Sequence, residues 1–461
     1  MKKFFQELAL LAAKALNVTL IALPVGAAWL LYYTERTTVP FHRMGNWAVL
    51  ALFVFFYVFL TRVYGAFRLA ISRISDMLYG QMLSVLLSDA ALFGVICLLT
   101  QRLPAVWPML AALVAQAFLA TAWCTAAHIW YFSTFPPLRS AVVYGGRKSM
   151  EELIQTYGLE KKFHVVLTLT AEECIEQPER LLDVEAIFMP DVHSGERNAI
   201  LKFCVEHGIE CYILPRLGDI IMSGAEKIQL FHMPMLRAQR YNPPPMYLFI
   251  KRVCDIVLSV AALLVLSPFL AATAIAVSTD GGPVFYRQKR LTKDGKPFWL
   301  VKFRSMRPDA EGDGVARLST GEKDERITPV GRVIRKIRMD ELPQLLNVLK
   351  GDMSLVGPRP ERPEIAAQYE EDMPEFRLRL QAKAGLTGYA QVYGKYNTTP
   401  YNKLQMDLMY IANPGLLQDL KLLLATVKVL FLPDSTEGIE VGQTTATDGG
   451  SAQSEQKALS E

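Results

Sequence analysis

Cysteine is scarce in this sequence, with six residues in 461, and none of them forms a CxxC pair. This spacing excludes a zinc ribbon and a small disulfide-stabilised scaffold, and it is typical of a chain in a reducing, cytosol-facing environment. Net charge is also small, because 49 Lys and Arg stand against 45 Asp and Glu. A net charge of +4 is no basic field for nucleic acid, and a 51% hydrophobic content excludes a disordered chain.

Charged residues are scarcest in the first third of the chain. Residues 1–138 contain nine Lys or Arg and four Asp or Glu, whereas the remaining 323 residues contain 40 and 41. Nearly uncharged stretches cover about 15–34, 44–61, 77–101 and 103–135, each near or above the ~20 residues that span a bilayer. The first is too long for a signal peptide and lacks a cleavage site, so we expect it to be retained. The sequence predicts a four-helix transmembrane domain over 1–138.

Loop charges predict how this domain is oriented. Three basic residues, Arg36, Arg43 and Arg102, fall on one side of the predicted spans. Eight fall on the other side: Lys2, Lys3, Arg62, Arg68, Arg73, Arg139, Arg147 and Lys148. Because basic loops stay in the cytoplasm, both ends of the domain are expected there. Asp89 lies inside the third span, where it is either a functional carboxylate or a polar contact between helices.

Residues 139–240 alternate short β-rich runs with helical patterns such as Lys148–Tyr157 and Asn198–His207, which predicts a parallel sheet of Rossmann type. The predicted strands are Ala141–Tyr144, His164–Leu169, Ala186–Met189 and Glu210–Leu214. The dinucleotide fingerprint G-x-G-x-x-G is missing after the first strand, because Arg147 and Met150 stand where two of its glycines should be. The acidic residue that should end the second strand is also missing, since Thr170 follows that strand. A degenerate Rossmann-like domain is therefore favoured over a working dinucleotide site. The Asn-Pro-Pro-Pro run at 242–245 predicts a stiff linker.

A second kind of membrane segment follows the linker. Ile256–Ser278 is a run of 23 residues without a charge, and Pro268 lies near its middle. Proline removes a backbone donor and clashes with the preceding turn, so we expect a break at Ser267-Pro268. Basic residues flank the run on both sides: Lys251, Arg252, Arg287, Lys289, Arg290 and Lys293. This predicts a re-entrant hairpin over 251–279 with both ends in the cytoplasm. The alternative is a kinked fifth span that would carry everything after it out of the cell.

Adjacent carboxylates, Asp340 and Glu341, stand out in the charged region after the hairpin. Two strands within 281–290 and 298–306, joined by a turn at 293–296, precede them. A basic cluster lies just upstream: Arg332, Arg335, Lys336 and Arg338. Pro343 suits the first turn of a following helix, and an acidic pair there is ordinarily explained by the helix dipole. The basic cluster and the downstream Gly357-Pro-Arg-Pro360 instead favour a phosphate site.

Four ordered motifs in this region resemble the bacterial sugar transferase family, the monotopic phosphoglycosyl (polyprenyl-phosphate hexose-1-phosphate) transferases. They are Lys302–Met306, Asp340–Gln344, Asn347–Pro360 and Gly385–Gln391, and the resemblance covers about 246–432. The preceding spans and Rossmann-like domain resemble the long, multi-pass branch of that family. One departure is Ala384, since the family commonly has proline at this position.

The resemblance implies transfer of a sugar 1-phosphate from a UDP-sugar to polyprenyl (undecaprenyl) phosphate, with release of UMP and initiation of an exopolysaccharide, capsule or O-antigen glycan. By residue matching, Asp340 is the nucleophile that forms a covalent aspartyl-phosphosugar, and Glu341 helps to hold Mg²⁺, the expected cofactor. The candidate phosphate ligands are Arg359, Lys302, Arg304 and Arg338. A solvated strand face is an equal alternative for Lys302 and Arg304, and lipid headgroups are an alternative for Arg338.

The complete prediction is a membrane helical bundle, a Rossmann-like α/β domain over 139–240, an α+β catalytic domain over 246–432 and a disordered tail over 433–461. The expected location is the bacterial inner membrane, with the catalytic domain on the cytoplasmic face. The expected partners are a UDP-sugar, polyprenyl phosphate and the lipid bilayer, with a homodimer as a further option and no nucleic acid. Two other functions were weighed. A nucleotide-sugar dehydratase would need G-x-x-G-x-x-G and Tyr-x-x-x-Lys motifs in the C-terminal half, which the sequence lacks, whereas a non-enzymatic membrane scaffold or sensor stays open.

Overall fold

A computed structural model describes residues 2–38, 41, 44–144, 154, 159–190, 192–308, 310, 324–394 and 399–429. The chain divides into two compact units, Met1–Leu214 and Pro215–Glu461. The turn at 145–149, most of the helix predicted over 148–157, and the tail over 433–461 lie outside the described residues.

The first unit begins with long apolar helices. These are α1 (Lys2–Ala28), α2 (Met44–Val63), α3 (Ile74–Thr100) and α4 (Trp107–Thr134), and α1 is extended by a π-helical turn, Trp29–Tyr33, and a 3-10 turn, Thr34–Arg36. In the described part of the chain, five helices, these four and one in the second unit, are long and apolar enough to cross a membrane. Outward-facing side chains such as Leu31, Leu98 and Phe118 are exposed. An apolar exterior of this extent suits lipid better than water.

Polar side chains link the helices inside this bundle. Tyr57 Oη of α2 donates to Asn17 Oδ1 of α1 (2.7 Å), and Asn17 Nδ2 donates to Gln81 Oε1 of α3 (3.2 Å). Gln116 Nε2 of α4 donates to Asp89 Oδ1 of α3 (3.5 Å). Hydrogen bonds of this kind hold apolar helices together where hydrophobic burial cannot. The structure therefore places Asp89 in a polar contact between helices.

A parallel sheet completes the first unit. Its strands are β1 (Leu138–Tyr144), β2 (Phe163–Thr170), β3 (Ala186–Met189) and β4 (Glu210–Ile213), in the order β2-β1-β3-β4. Helix α5 (Ala171–Glu176) lies between β2 and β3, and α6 (Ser194–Glu206) lies between β3 and β4. Strand β1 is buried from Ser140 to Tyr144, as expected for a parallel strand covered on both faces. The predicted strands and their parallel arrangement are confirmed.

The second unit mixes helices with short strands. In chain order its elements are α7 (Leu217–Ser223), β5 (Glu226–Leu230), β6 (Met233–Arg237), α8 (Pro245–Thr279), β7 (Phe285–Leu291), β8 (Pro297–Phe303), α9 (Pro329–Lys336), a 3-10 helix (Met339–Gln344), α10 (Leu345–Lys350), β9 (Ser354–Val356), α11 (Pro363–Asp372), a 3-10 helix (Pro374–Gln381), β10 (Gly385–Thr387), α12 (Tyr389–Tyr393), α13 (Pro400–Ala412) and α14 (Leu416–Val429). The pairs β5–β6 and β7–β8 are antiparallel hairpins, whereas β9 and β10 pair in parallel. Buried residues such as Val348, Met353 and Leu404 form the core.

Helix α8 contains the segment for which a break was predicted. It runs without interruption over 35 residues, so Ser267 and Pro268 lie inside one helix rather than between two. Pro268 has no N–H to donate to the Leu264 carbonyl, the partner that helical geometry assigns to it. Ser267 Oγ donates to that same carbonyl at 2.8 Å. This side-chain bond satisfies the acceptor that the proline leaves open.

The N-terminal part of α8 is fixed to the core of the second unit by charged side chains. Lys251 Nζ forms a buried ion pair with Asp419 Oδ2 of α14 at 2.8 Å. The Arg252 guanidinium donates to the carbonyls of Val348 (2.6 Å) and Leu349 (2.7 Å) in α10. These bonds satisfy carbonyls at the end of α10 and hold the two helices together.

The C-terminal part of α8 also contacts the second unit, and so does one side of its middle, where Ala262 and Leu263 pack against the core. Val277 is buried against Phe303 of β8 and Ile334 of α9. Between the two anchored parts, Leu264 and Val265 are 70% and 72% exposed. Helix α8 therefore contacts the second unit along one side, and the other side of its middle presents exposed apolar side chains.

The ion pair of Lys251 and Asp419 predicts a large effect of one substitution. In Asp419→Ala, Lys251 stays buried without its carboxylate and keeps only the hydrogen bond to Tyr410 Oη at 3.1 Å. Tyr247 Oη and Tyr410 Oη lose the acceptor that each contacts at 2.9 Å. We expect the free energy of unfolding in detergent to fall by about 3–5 kcal/mol. Glu226→Ala is the control, because its pair with Arg237 is exposed and 3.8 Å long, and about 0–1 kcal/mol is expected. Equal, small decreases in the free energy of unfolding of the two variants would contradict the role of Asp419 in fixing α8 to the core.

Candidate functional site

The β7–β8 hairpin builds one wall of the candidate site. Its register pairs Tyr286 with Lys302 and Arg290 with Phe298, and side chains alternate between the two faces of the hairpin. One face carries Arg290 and Lys302 into a cleft. The residues lining the cleft are Arg290, Leu300, Lys302, Glu341, Gln344, Arg359, Pro360 and Gly385.

The two adjacent carboxylates, the dyad of Asp340 and Glu341, lie opposite this wall. They belong to the 3-10 helix Met339–Gln344, so Pro343 lies inside that helix and not in the first turn of α10 as predicted. Arg338 precedes the dyad with a left-handed backbone (φ 52°), a conformation that costs about 1–2 kcal/mol for a residue other than glycine. This turn redirects the chain from α9 into the dyad.

Glu341 is held ionised by two guanidinium groups. Arg359 Nη2 donates to Glu341 Oε1 at 2.9 Å, and Arg338 Nη1 lies 3.8 Å from Oε2. Burial alone would raise the pKa of Glu341, but Arg359 and Arg338 outweigh burial and hold that pKa below its ordinary value. Glu341 is therefore a carboxylate at neutral pH.

Asp340 has the opposite electrostatic environment. Its side chain is 8% exposed, and burial, reinforced by the charge of Glu341, raises its pKa. Lys302 and Arg335 oppose this effect without cancelling it. Two like charges so close together titrate as a coupled pair, and their surroundings separate the two affinities for protons. A carboxylate of raised pKa is the more basic member of the pair and the stronger nucleophile.

Lys302 supplies positive charge on the hairpin side of the cleft. Burial lowers the pKa of Lys302 to about 8, while Asp340 opposes that decrease. Its Nζ lies 5.3 Å from the ring centroid of Tyr286, on the same face of the hairpin. The amine is therefore mostly charged at neutral pH and is available to a phosphate.

The loop Gly357–Pro360, which carries Arg359, is fixed from below through its backbone. Arg379 Nη2 donates to the Arg359 carbonyl (2.8 Å), and Arg379 is itself held by Asp407, with 2.8 Å between Nε and Oδ2. Gly385 N donates to the Pro358 carbonyl at 2.9 Å. A rigid backbone at this point orients the Arg359 side chain toward Glu341.

A buried aspartate beside an ionised glutamate and several cations is a site for phosphoryl chemistry, and known proteins match the segment that contains it. The sequence profile described as bacterial sugar transferase matches residues 246–433. The UDP-glucose:undecaprenyl-phosphate glucose-1-phosphate transferase of Caulobacter vibrioides is 41% identical over 191 residues, which cover 40% of this chain and 71% of that protein. The chain belongs to the bacterial sugar transferase family.

Two further relatives of this family member show how far the similarity extends. The UDP-N-acetylgalactosamine-undecaprenyl-phosphate N-acetylgalactosaminephosphotransferase of Aeromonas hydrophila is 36% identical over 252 residues, covering 54% of this chain and 58% of that protein. The exopolysaccharide production protein PSS of Rhizobium leguminosarum bv. phaseoli is 41% identical over 192 residues, covering 40% of this chain and 95% of that protein. The match thus spans less than two thirds of the Aeromonas relative and nearly all of the Rhizobium one.

The structure brings together most of the site residues expected for this sugar transferase. Around the one cleft lie Asp340, Glu341, Arg359, Lys302 and Arg338. Arg304 does not join them, because β8 ends at Phe303 and the side-chain alternation of the strand ends with it. The Arg304 Nη2 atom instead donates to the Val277 carbonyl of α8 at 2.9 Å.

Sequence reasoning missed several residues that complete the site of this transferase. Arg290 lines the cleft and donates to the Pro360 carbonyl at 3.0 Å. Its position was detectable, since Arg290 shares the alternation of β7 and β8 with Lys302. The pair of Arg379 and Asp407 had no local signal as a pair, because 28 residues separate its two members.

The donor set of the dyad is compatible with a magnesium ion. Among the described residues, no group of three or more His, Cys, Asp and Glu side chains could hold a metal on its own. Mg²⁺ commonly takes one or two carboxylates from a protein and completes its shell with water and substrate phosphates. Asp340 and Glu341 offer two carboxylates, so the residues present fit an ion shared with a diphosphate.

Ala384, the departure from the family pattern, has a local role of its own. Its N–H donates to Thr292 Oγ1 at 3.2 Å, and its carbonyl accepts from Ser354 N at 2.8 Å. A proline could not make the first of these bonds. Here hydrogen bonding therefore orders the backbone that a proline ring would otherwise stiffen.

The close approach of Gly385 to the Arg359 loop predicts a sensitive position. A Cβ atom at Gly385 would overlap the backbone nitrogen and oxygen of Gly357. We expect Gly385→Ala to displace the loop and lower the free energy of unfolding by about 1–3 kcal/mol, as overpacked sites do. Gly415→Ala is the matched control, because a Cβ there meets nothing within 4 Å. Thermal unfolding of both variants in detergent tests this, and indistinguishable values would refute the tight contact.

Proposed function

We propose that this protein transfers a sugar 1-phosphate from a UDP-sugar to polyprenyl (undecaprenyl) phosphate and thereby initiates a glycan on a membrane lipid. The observation that carries the proposal is the buried Asp340 of raised pKa beside an ionised Glu341 bound by Arg359. Two of the relatives are named as undecaprenyl-phosphate sugar phosphotransferases. A further relative is named for exopolysaccharide production, which supports exopolysaccharide, capsule or O-antigen assembly as the pathway.

The proposed chemistry has two displacements at phosphorus. In the first, an oxygen of ionised Asp340 attacks the sugar-linked phosphorus of the UDP-sugar, and the bond to the bridging oxygen breaks, so that UMP leaves and an aspartyl-phosphosugar remains. In the second, a phosphate oxygen of polyprenyl phosphate attacks the same phosphorus and releases the Asp340 carboxylate. The acceptor is already an anion, so the second step needs no general base. Splitting one displacement into two lets each substrate use the site in turn.

Cations are expected to provide most of the rate enhancement, since phosphoryl transfer depends on positioning and charge neutralisation. Lys302 and Arg290 lie on the hairpin wall, and Arg359 lies on the opposite loop. The planar guanidinium of Arg359 suits a phosphate, and its pair with Glu341 holds it in place. Glu341 would help to hold Mg²⁺, which when bound neutralises charge on the diphosphate. Arg338, closer to the end of α9, would complete the positive rim.

The membrane arrangement proposed here has four N-terminal spans and a re-entrant α8. The N-terminal and the C-terminal part of α8 both pack on the same unit, through Arg252 and Val277, which supports placing both parts on one side of the membrane. The basic residues on both flanks support the same arrangement. The proposal therefore places the catalytic unit on the cytoplasmic face of the inner membrane, where UDP-sugars are found. The parallel order β2-β1-β3-β4 supports a Rossmann-like domain, with homodimerisation as a further proposal.

Replacement of the proposed nucleophile tests the reaction. Asp340→Asn keeps the size and removes the charge, so we expect UMP release from a matching UDP-sugar in undecaprenyl-phosphate-containing membranes to fall at least about a thousandfold. Asp372→Asn, at the exposed end of α11, is the matched control and should turn over like the unaltered protein. Near-normal turnover by Asp340→Asn would remove Asp340 from its role.

Labelling on the two flanks of α8 tests the topology. The native cysteines are replaced by Ser, and a single cysteine is introduced at Gln239 or at Lys293, before and after the helix. We expect both positions to react with a membrane-impermeant maleimide only after intact spheroplasts are lysed. Reaction at Lys293→Cys from outside, with Gln239→Cys protected, would identify α8 as a fifth span and overturn the re-entrant arrangement.

A further inference from the structure

A second cavity lies on the face of the β7–β8 hairpin that points away from the dyad. Side-chain alternation puts Arg287, Trp299 and Val301 on this face, whereas Arg290 and Lys302 line the cleft on the other. Together with residues of α10, the outer face encloses a cavity of about 500 Å³, within the usual range for ligand pockets. The cavity is lined by Arg287, Trp299, Val301, Leu346, Asn347 and Lys350.

The lining is apolar with positive charge at its rim. Trp299 and Leu346 are 53% and 49% exposed, an unusual state for side chains of this size in water. Arg287 has no hydrogen-bond or ion-pair partner within the described ranges. Lys350 has only an exposed pair with Asp352, at 3.3 Å, which contributes little. The cavity therefore presents Arg287 and Lys350 beside an apolar wall, and Lys289 Nζ lies 5.4 Å from the Trp299 ring centroid on the same face of the hairpin.

Asn347, the remaining polar residue of the lining, already forms hydrogen bonds within the protein through its side chain. Its Nδ2 donates to the Trp299 carbonyl at 2.8 Å, and its Oδ1 accepts from Val301 N at 3.0 Å. These bonds join α10 to β8 and make the cavity a preformed space between two fixed elements. Recognition of a ligand is thus left to the cations and the apolar side chains.

Residues close in sequence to the lining of this cavity contact α8. Leu349, next to Lys350, accepts a hydrogen bond from Arg252 at the N-terminal part of α8. Phe303, two residues after Val301 on the same face of β8, is buried against Val277 at the C-terminal part. The two elements that form the cavity, α10 and the β7–β8 hairpin, are thus both in contact with α8. If the middle of α8 enters the bilayer, as the proposed function requires, the cavity lies at headgroup depth.

We propose that this cavity binds one anionic membrane phospholipid, with its phosphate between Arg287 and Lys350 and an acyl chain against Trp299, Val301 and Leu346. Two cations close to a membrane surface each favour an anionic lipid. Polyprenyl phosphate shares this chemistry, but the hairpin separates the cavity from the dyad, and an acceptor held here could not reach Asp340. The lipid is therefore a resident one that fixes the height of the catalytic unit on the membrane.

Phosphatidylglycerol binding to the purified full-length chain tests this site, measured by native mass spectrometry in detergent with phosphatidylcholine as the neutral reference. We expect Arg287→Gln/Lys350→Gln to weaken phosphatidylglycerol binding about tenfold or more and to leave phosphatidylcholine binding unchanged. Arg287→Lys/Lys350→Arg keeps both charges and should keep the preference. Lys293→Gln/Lys296→Gln, at the exposed turn of the same hairpin, removes two cations outside the cavity and should bind like the unaltered chain.

Two results would overturn the inference. One is equal phosphatidylglycerol affinity of the unaltered chain and Arg287→Gln/Lys350→Gln, with all variants unfolding at the same temperature. The other is displacement of phosphatidylglycerol by equimolar undecaprenyl phosphate, which would assign the cavity to the acceptor. Binding is measured without turnover, so Asp340→Asn should bind phosphatidylglycerol normally. If the unaltered chain binds phosphatidylglycerol at this cavity but releases no UMP, only the proposed function is refuted. If it releases UMP but does not bind phosphatidylglycerol at this cavity, only this inference is refuted.

Discussion

Asp340 and Glu341 are adjacent carboxylates in a buried 3-10 helix, and both burial and mutual repulsion oppose their ionisation. Such a pair is stable only where cations surround it, and the rest of the second unit supplies them. Arg359 and Arg338 hold Glu341, while Lys302 faces Asp340 from the hairpin. The elements that carry these cations are in turn fixed by core contacts and by backbone hydrogen bonds, so the fold serves to keep positive charge around two negative groups.

The same hairpin couples the site to the membrane helix. In β8, Lys302 faces the dyad, and the next residue, Phe303, packs on the other side against Val277 of α8. One strand thus fixes the distance between the reacting carboxylate and the helix proposed to enter the lipid. The proposed reaction needs such a fixed distance, because a soluble donor and a lipid-bound acceptor would each have to bring its reacting atom to the same site.

The sequence predicted the parts of the structure that follow a local rule. Local patterns predicted three features: the two strands of the β7–β8 hairpin, the apolar helix α8, and the motifs that carry the dyad and Arg359. The prediction groups Arg304 with Lys302 because it extends the strand beyond Phe303, and no sequence pattern marks where a ladder ends. Pro268 predicted a break because proline removes one backbone hydrogen bond from a helix. In the structure the Ser267 hydroxyl donates to the carbonyl that the proline leaves without a donor, and the helix continues. The pair of Arg379 and Asp407 depends on packing between distant segments, which a single sequence does not encode visibly.

If Asp340 is the nucleophile, as proposed, the opposite pKa changes in the dyad explain what the second carboxylate contributes. A carboxylate surrounded by guanidinium groups is a weak base and a weak nucleophile, whereas an isolated buried one stays protonated. With Glu341 taking the arginines, Asp340 keeps its basicity, and Lys302 and Arg335 counter the penalty of ionising it. Glu341 thus absorbs the arginine charge that would otherwise weaken Asp340, and those arginines remain at the cleft to meet the phosphates of a donor. The division of roles follows from which cations lie beside each carboxylate, not from a difference between aspartate and glutamate.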